Sequence, residues 1–484
     1  MINIALARLG KNSLIYGIGG AFNRFIGLIL LPFFTQVVPP EDYGVLALLS
    51  LITVLMSGIL SLGTGNSMGI LYFKEDIKSM RPTIIWTNVL LLIVNGLFWY
   101  FVIWISAPTL SIWMFQSSEY YLYIRLAFLT PVLHTVTDPW LAFLRMEEKA
   151  KEYFKLTLSG GLVNIFFAAI FVLVLEWGLW GMLSAGAIGV AIMLVVTWYN
   201  VGRKLKFSYD PKLFLPLVRI GFPSIFGLFA FFVVDYADRQ MIERMLSLSD
   251  LGVYSIGYSF GMVMIIAVSA FGTAWPPFFM SYIKKPDEAR QVFGRVLTYY
   301  VLGFGSFGVL FFFVAKPLLL MMTSPLFHQA WVIVGLVAGA YMLKGCYLIF
   351  LPGIYFVKKL GLQSMIEWSA AILNLALNFW LIPFCGIPGA AIATFLSYLS
   401  LPVLAWLTGK KYLKVDYEWP RLALGCALTI STSFILYQLF QYFSSEVLEA
   451  TLYGMIICTI YFVTIFLFLL KYEERVILYR KIGL

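Results

Sequence analysis

Long apolar runs separated by short polar breaks occupy almost the whole chain of 484 residues. Because a membrane-spanning helix needs about 20 apolar residues, the runs predict about fourteen transmembrane helices with short connections. The predicted spans are 12–38, 43–68, 83–106, 120–142, 154–175, 179–201, 216–239, 251–275, 292–315, 330–356, 361–383, 387–408, 421–441 and 448–470. Since each backbone amide in a bilayer must be bonded internally, the predicted fold class is an all-α membrane protein.

An internal repeat divides the predicted bundle. Four landmarks recur at an offset of 208 to 210 residues, namely Asp42 with Asp250, Gly44 with Gly252, Asn164 with Asn374, and Gly178 with Gly386. Each copy holds six spans, so both copies cross the membrane in the same direction. The sequence therefore predicts two six-helix lobes, 1–209 and 210–412, related by a pseudo-two-fold axis along the membrane normal, followed by two additional helices and a tail in 413–484.

Charge is scarce and lies mainly in one set of loops. Hydrophobic residues make up 61% of the chain and charged residues 12%, with a formal net charge of +10. Alternate predicted loops hold 28 of the 34 Lys and Arg residues, whereas the opposite loops hold only Arg244 and Lys316. The positive-inside rule makes the basic face cytoplasmic and places both termini there. The positive charge is thus a sign of topology, and no nucleic-acid partner is predicted.

Four basic residues lie inside predicted spans: Arg24, Arg125, Arg239 and Lys344. A charge at the bilayer centre costs roughly 2.5 to 3.5 kcal/mol, so such a side chain pairs, faces water or extends to the surface. Arg24 in one lobe and Lys344 in the other are central in their spans, which predicts a shared cationic cavity that binds substrate. The alternatives are packing beside a carboxylate for Arg24 and Lys344, interfacial anchoring for Arg125, and an ion pair with Asp235 for Arg239.

Acidic side chains in or near the spans are candidates for coupling transport to an ion gradient. They are Asp138, Asp235, Asp238 and Glu367, together with His134, which lies four residues before Asp138. A carboxylate in a wet cavity can exchange a proton or bind Na⁺, and the His134 and Asp138 pair could relay protons. The alternative for that pair is a packing contact near the inner end of its span.

Motifs of other function classes are not found in the sequence. It has no Walker A, HExxH or GxSxG motif, so an ATP-driven or hydrolytic mechanism would need another chain. A GxGxxG match at 303–308 lies inside an apolar span without a preceding strand and predicts close helix packing. The four cysteines form no CxxC pair and the two histidines are far apart, so neither a metal site nor a cofactor is predicted.

Three segments carry a resemblance to a known family. They are Leu31-Pro32 through Pro40-Glu41-Asp42-Tyr43-Gly44, Asp235-Tyr236-Ala237-Asp238-Arg239 through Leu251-Gly252-Val253-Tyr254-Ser255, and Gly386-Ile387-Pro388-Gly389-Ala390-Ala391-Ile392-Ala393-Thr394. In these segments and in its fourteen-span plan, the chain resembles the Wzx-like flippases, the polysaccharide transporter branch of the multidrug, oligosaccharidyl-lipid and polysaccharide exporter superfamily. The likeness extends over most of the chain.

The resemblance implies a flippase, not an enzyme, that moves an undecaprenyl-diphosphate-linked oligosaccharide from the cytoplasmic to the outer leaflet of a bacterial inner membrane. It also implies coupling to H⁺ or Na⁺, contact with membrane lipids, and partners in polysaccharide assembly. Intramembrane cations would suit an anionic lipid diphosphate. The alternatives are a lipid II flippase, a multidrug exporter, for which an acidic cavity is expected, and a membrane-embedded glycosyltransferase or polymerase, for which a long outer loop is expected.

Overall fold

The computed structural model describes most of the chain, and all regular elements in the described residues are helical. The described residues are 30–72, 80–147, 149–280, 282, 285–357, 359–443, 447–472 and 474–475. Arg24 and the first part of the first predicted span lie outside these ranges. The prediction of an all-α protein is confirmed.

The chain divides into two compact units, Met1–Gly252 and Val253–Leu484. The helices of the first unit are α1 (Pro40–Ser61), α2 (Thr64–Tyr72), α3 (Arg81–Phe115), α4 (Tyr121–Met146), α5 (Ala150–Ala168), α6 (Gly178–Asn200), α7 (Phe214–Gly221) and α8 (Pro223–Met245). The next helix, α9 (Leu248–Gly261), contains the boundary residue. Those of the second unit are α10 (Val263–Met280), α11 (Pro286–Met322), α12 (Trp331–Phe350), α13 (Pro352–Phe356), α14 (Leu360–Cys385), α15 (Ile387–Gly409), α16 (Trp419–Tyr442) and α17 (Val447–Thr464). The predicted division at residues 209 and 412 stays a prediction.

Ten helices among the described ranges are long and apolar enough to cross a membrane, or eleven if the bent pair that begins with α9 is counted as one span. Their outer faces are apolar: on α3, the side chains of Leu97, Phe98 and Phe101 are all more than half exposed. Such a surface is stable only against lipid, because in water it would form a large exposed apolar patch. The chain is therefore a multi-pass membrane protein, while the count of fourteen spans stays a prediction.

Several predicted spans are interrupted, which corrects the continuous segments expected from hydropathy. Span 43–68 breaks between α1 and α2, where Leu62 and Gly63 have φ of 50° and 66°. Span 251–275 bends by 41° between α9 and α10. Backbone groups freed at such breaks need new partners, so breaks inside a membrane bundle are tolerated where the protein itself surrounds them.

Two glycine landmarks of the repeat, Gly178 and Gly386, both have positive φ. Gly178 precedes the body of α6 with φ of 49°, and Gly386 precedes α15 with φ of 63°. Only glycine adopts this region at little cost, which explains why both turns carry it. Two more residues lie between Asn164 and Gly178 than between Asn374 and Gly386. This stretch of the first copy contains a π-helix over residues 169–174, after α5.

The landmarks Gly44 and Gly252 make a reciprocal contact at the starts of α1 and α9. A Cβ built on Gly44 would lie 2.0 Å from the Leu248 carbonyl oxygen, and one built on Gly252 would lie 1.8 Å from the Pro40 carbonyl oxygen. Pro40 and Leu248 are themselves separated by the repeat offset of 208 residues. Repeat-related glycines therefore allow repeat-related backbones to approach each other closely.

The additional helices α16 and α17 pack against α11 within the second unit. In mid-helix, a Cβ on Gly305 would be 3.0 Å from Thr429 Oγ1, so α16 approaches α11 closely at this glycine. Gly305 belongs to the GxGxxG match, which is helical as predicted. Six residues before Gly305 on α11, the Tyr299 hydroxyl donates to Glu474 Oε1 at 2.7 Å. Small residues and polar ties of this kind are typical of helix contacts in membranes.

Candidate functional site

A cavity of about 650 Å³ lies within the first unit, among α4, α5, α6 and the end of the first predicted span. On α4 the lining positions are separated by four, three and four residues, which keeps them on one helical face. The polar lining residues are Tyr43 on α1, His134, Asp138 and Arg145 on α4, and Tyr153, Thr157 and Asn164 on α5. Apolar lining residues include Leu31, Phe34, Leu141, Met182 and Met193. A mostly apolar chamber with a few convergent polar groups is the usual form of a small-ligand site.

The predicted His134 and Asp138 pair forms on the wall of this cavity. His134 Nδ1 lies 3.5 Å from Asp138 Oδ1, and the side chains are 54% and 48% exposed. His134 is twelve residues before the end of α4 at Met146, or about 18 Å along the helix. The pair therefore lies deep along the span yet faces open space.

Arg145 lines the same cavity near the end of α4, at the basic face. Sequence reasoning counted it among the loop cations because it follows the apolar run. Its guanidinium carbon lies 5.6 Å from the centroid of the Tyr153 ring, within range of a cation–π contact. The stripe on α4 thus places a cation, an acid and an ionisable imidazole along one wall.

A second polar group lies in the second unit, where α14 and α15 pack against each other. Asn378 and Thr394 are each eight residues from the turn at Gly386, so they stand at the same level of the antiparallel pair, about 12 Å from the turn. Both side chains are fully buried, as is Asn374. Asn378 Nδ2 donates to the backbone carbonyl and the Oδ1 of Asn374, both at 2.9 Å.

This group has polar atoms without a hydrogen-bond partner in the part of the chain that the structure describes. They are Asn374 Nδ2, Asn378 Oδ1 and Thr394 Oγ1. Nearby, the Ser397 hydroxyl donates to the Ala393 carbonyl at 2.7 Å, the common arrangement for a hydroxyl in a helix. An unsatisfied buried polar atom costs about 1 to 3 kcal/mol, so the buried oxygens of Asn378 and Thr394 favour a cation or a water as partner.

Lys344 lies on α12 of the second unit and is half-buried among aromatic rings. Its Nζ is 5.9 Å from the Tyr341 ring centroid and 5.7 Å from that of Tyr398. The Tyr341 hydroxyl is in turn 3.1 Å from the Tyr258 hydroxyl. The faces of such rings stabilise a nearby cation by about 0.5 to 2 kcal/mol.

Arg125 and Arg239 contact backbone carbonyls. Arg125 donates twice to the Trp104 carbonyl, from Nε at 3.1 Å and Nη2 at 2.9 Å, and lies over the Trp104 ring at 4.3 Å. These contacts favour the interfacial-anchor alternative. Arg239 is 7% exposed, and its Nη1 donates to the backbone carbonyl of Asp235 at 2.6 Å. The neighbouring Asp238 is fully buried.

Glu367 lies on α14, away from the Asn378 level, and is 9% exposed. Its Oε1 accepts hydrogen bonds from the Tyr347 hydroxyl at 3.0 Å and from Gln363 Nε2 at 2.9 Å. Both donors bond the same oxygen, and the role of Glu367 in ion coupling stays a prediction.

The structure corrects the predicted position of Lys316. The sequence placed it in a loop opposite the basic face, but it lies inside α11 and is 4% exposed. Its Nζ donates to the Phe440 carbonyl on α16 and lies 5.2 Å from the Trp331 ring centroid. The hydropathy pattern ended the predicted span at this lysine because it is charged. A hydropathy pattern does not record that the Phe440 carbonyl, 124 residues later in the chain, accepts a hydrogen bond from it. Among His, Cys, Asp and Glu, the described residues form no group suited to a metal ion.

A family model described as polysaccharide biosynthesis protein matches residues 34–331. This segment is more than half of the chain. The chain belongs to the polysaccharide biosynthesis protein family. This match confirms the family recognised in the sequence, and the apolar helices make the chain a multi-pass membrane protein of that family.

Two curated relatives extend the match. The Lsg locus putative protein 1 of Haemophilus influenzae is 22% identical over 430 residues, covering 83% of this chain and 98% of the relative. The succinoglycan biosynthesis transport protein ExoT of Rhizobium meliloti is 21% identical over 351 residues, covering 71% of this chain and 68% of ExoT.

Solved structures share the fold. The lipid II flippase MurJ in an inward closed conformation superposes with a TM-score of 0.72 at 13% identity, over 97% of this chain and 100% of MurJ. An outward-facing multidrug resistance transporter of the MATE family superposes with a TM-score of 0.60 at 13% identity, over 84% of this chain and 95% of the transporter. At this identity the likeness concerns the fold alone.

Proposed function

We propose that the chain is a flippase that moves a polyprenyl-diphosphate-linked oligosaccharide from the cytoplasmic to the outer leaflet of a bacterial inner membrane by alternating access. Both termini lie in the cytoplasm in this proposal. The observation that carries it is the cavity of the first unit, whose α4 wall presents Arg145 and His134 inside a membrane bundle.

The chemistry of that wall suits a lipid diphosphate. A diphosphate is strongly hydrated and anionic, so a site within the bundle must replace its water with cations and hydrogen-bond donors. Arg145 offers a planar fork that bonds two phosphate oxygens at once, and His134 adds a donor deeper along α4. A cavity of about 650 Å³ is within the usual size of ligand sites, and its mixed lining can contact sugar rings as well.

The family favours an oligosaccharide as the cargo, whereas the fold likeness to MurJ favours lipid II as the second candidate. Both cargoes carry a polyprenyl diphosphate, so the α4 wall does not separate them. The predicted shared cavity of Arg24 and Lys344, with contributions from Arg125 and Arg239, remains part of the proposal.

Coupling to a cation gradient is the energetic part of the proposal. The buried oxygens of Asn378 and Thr394 are neutral, hard ligands of the kind that hold Na⁺ in broken or packed transmembrane helices. The His134 and Asp138 pair is the alternative, with H⁺ as the coupling ion. Asp235 and Asp238 on α8 remain candidates for either ion.

The test uses the full chain in proteoliposomes with a fluorescent, short-chain polyprenyl-diphosphate oligosaccharide, whose arrival in the opposite leaflet is read by chemical quenching. Arg145→Ala should slow flipping about tenfold or more, because a lost charge-assisted bond is worth about 1.5 to 3 kcal/mol. Arg145→Lys keeps the charge but not the fork and should retain part of the rate. Arg295→Ala is the matched control, since Arg295 is exposed on α11 and does not line the cavity.

If Arg145→Ala and Arg295→Ala flip the lipid at equal rates, at equal amounts of folded protein, the cavity does not bind the transported lipid. Flipping of a labelled lipid II by the wild type, with none of the oligosaccharide, would decide for the second candidate.

A further inference from the structure

The segment between α6 and α8, residues 202–222, is here named the linker platform. It carries five exposed basic side chains, which are Arg203, Lys204, Lys206, Lys212 and Arg219. Its one carboxylate, Asp210, accepts a hydrogen bond from the backbone N–H of Lys212 at 2.9 Å. The platform therefore presents an excess of four positive charges at the basic face.

One side of the platform is fastened to α3 over its first two turns. Trp86 Nε1 donates to the Leu205 carbonyl at 3.3 Å, and the Thr83 hydroxyl donates to Ser208 Oγ at 2.8 Å. The backbone N–H of Asp210 donates to the Thr87 hydroxyl at 3.1 Å. The cations thus stand on an ordered backbone, which reduces the ordering entropy that binding costs.

The α7 end of the platform is also held in place. Leu217 is fully buried, and a Cβ on Gly221 would lie 2.6 Å from the Gly63 carbonyl, so α7 packs tightly against the break before α2. On the other side of α7, Leu215 is 72% exposed. A short helix with one buried and one exposed apolar side chain beside several cations has the pattern of an interfacial element.

Aromatic residues mark the depth of the platform in the membrane. Trp198 and Tyr199 are about half exposed at the end of α6, and such residues concentrate at the level of the lipid headgroups. The Arg203 guanidinium lies 3.5 Å from the Tyr199 ring centroid, so the first cation of the platform is at the same level. Phe207, 62% exposed, provides a further apolar surface among the cations.

We propose that the linker platform binds the headgroups of anionic phospholipids in the leaflet at the basic face. Within the described ranges, no carboxylate lies within ion-pair distance of Lys204, Lys206 or Lys212. By contrast, Arg421 in the first turn of α16 is paired with Glu418 and Glu474. These platform cations lie on an ordered backbone and alternate with exposed apolar side chains. The cations can bind the phosphate of a phospholipid headgroup while the apolar side chains contact its acyl chain. This inference does not depend on the cargo of the transporter.

The experiment measures retention of phosphatidylglycerol and of phosphatidylcholine with matched acyl chains by the purified full-length protein, using native mass spectrometry in detergent. The wild type should retain phosphatidylglycerol preferentially. The triple variant Lys204→Gln, Lys206→Gln, Lys212→Gln should bind it at least about tenfold more weakly, since each basic residue near an anionic surface contributes measurably. Leu215→Gln, which removes an exposed apolar side chain, should weaken retention of both lipids.

The control variant Lys410→Gln, Lys411→Gln, Lys414→Gln removes the same charge from another loop of the basic face and should keep the wild-type preference. An equal loss in both triple variants would mean that net charge alone attracts the lipid, and would overturn the proposal. Inorganic pyrophosphate that competes as well as phosphatidylglycerol would assign the platform to a soluble anion. A linker-dependent retention of short-chain polyprenyl diphosphate without any phosphatidylglycerol preference would assign it to the transport substrate.

Discussion

The reciprocal contact of Gly44 and Gly252 gives the sharpest prediction on stability. An alanine Cβ at position 44 would lie 2.0 Å from the Leu248 carbonyl oxygen, and one at position 252 would lie 1.8 Å from the Pro40 carbonyl oxygen. Ordinary contact begins at 3.4 Å, so the two helix starts must separate by about 1.4 to 1.6 Å. Backbone atoms cannot rotate away as a side chain can, and overpacking of this kind costs about 1 to 3 kcal/mol.

Gly303→Ala is the matched control because no atom lies within 4 Å of its built Cβ. It should gain up to about 1 kcal/mol from helix propensity. Gly44→Ala or Gly252→Ala should instead lower the melting temperature of the full chain by about 2 to 8 °C, measured by intrinsic fluorescence in detergent. The double variant should lose less than the sum of the two, because one separation of the helices relieves both clashes. Strict additivity, or melting temperatures equal to that of Gly303→Ala, would refute the reciprocal contact.

Four further predictions concern the site and the basic face. Thr394→Val should abolish stimulation of flipping by a cation gradient, whereas Thr408→Val should not, since the Thr408 hydroxyl is already bonded to the Leu404 carbonyl at 2.7 Å. Lys344→Ala should slow flipping more than Lys344→Arg, and equal effects would favour a packing role. Arg24→Ala should abolish flipping with membrane expression intact, which an export assay in cells and a blot can check. Partial burial raises the pKa of Glu474, but hydrogen bonds from Arg421 and Tyr299 outweigh this effect and hold the pKa below 4.5. The stability that this carboxylate contributes should therefore be complete above about pH 4.5 and be lost as the pH falls through the lowered pKa. Arg421→Gln should show a smaller loss of stability over the same pH range.

Much of the fold follows from hydropathy and glycine positions. The apolar runs locate the helices because a bilayer leaves the backbone few alternatives. Gly178 and Gly386 were identifiable from the sequence as a matched pair, and both have positive φ. Positive φ favours glycine, so a glycine in the sequence indicates where it can occur. Leu62 also has positive φ, but a leucine does not indicate this conformation in the sequence. The break after α1 therefore depends on tertiary packing that a hydropathy pattern does not record.

The candidate site was less accessible from the sequence. The His134 and Asp138 spacing predicted their pairing, but nothing local indicated that they face a cavity. The relation of Asn378 to Thr394 could have been found by counting eight residues in each direction from Gly386, because antiparallel helices place such residues at one level. Lys316 could not be assigned, since its partner at Phe440 lies on a helix distant in the chain.

Two cations within the described helices show how this bundle accommodates positive charge. Arg125 donates to the Trp104 carbonyl beneath the ring of the same residue, and Lys316 donates to the Phe440 carbonyl beside the Trp331 ring. A carboxylate partner would lower the self-energy of the cation but would also cancel its charge. Carbonyl dipoles and aromatic faces lower that self-energy while the net charge stays, so both side chains keep their positive charge in the folded protein. In the function proposed above this retained charge matters, because it attracts an anionic lipid diphosphate over a longer range than a single hydrogen bond does.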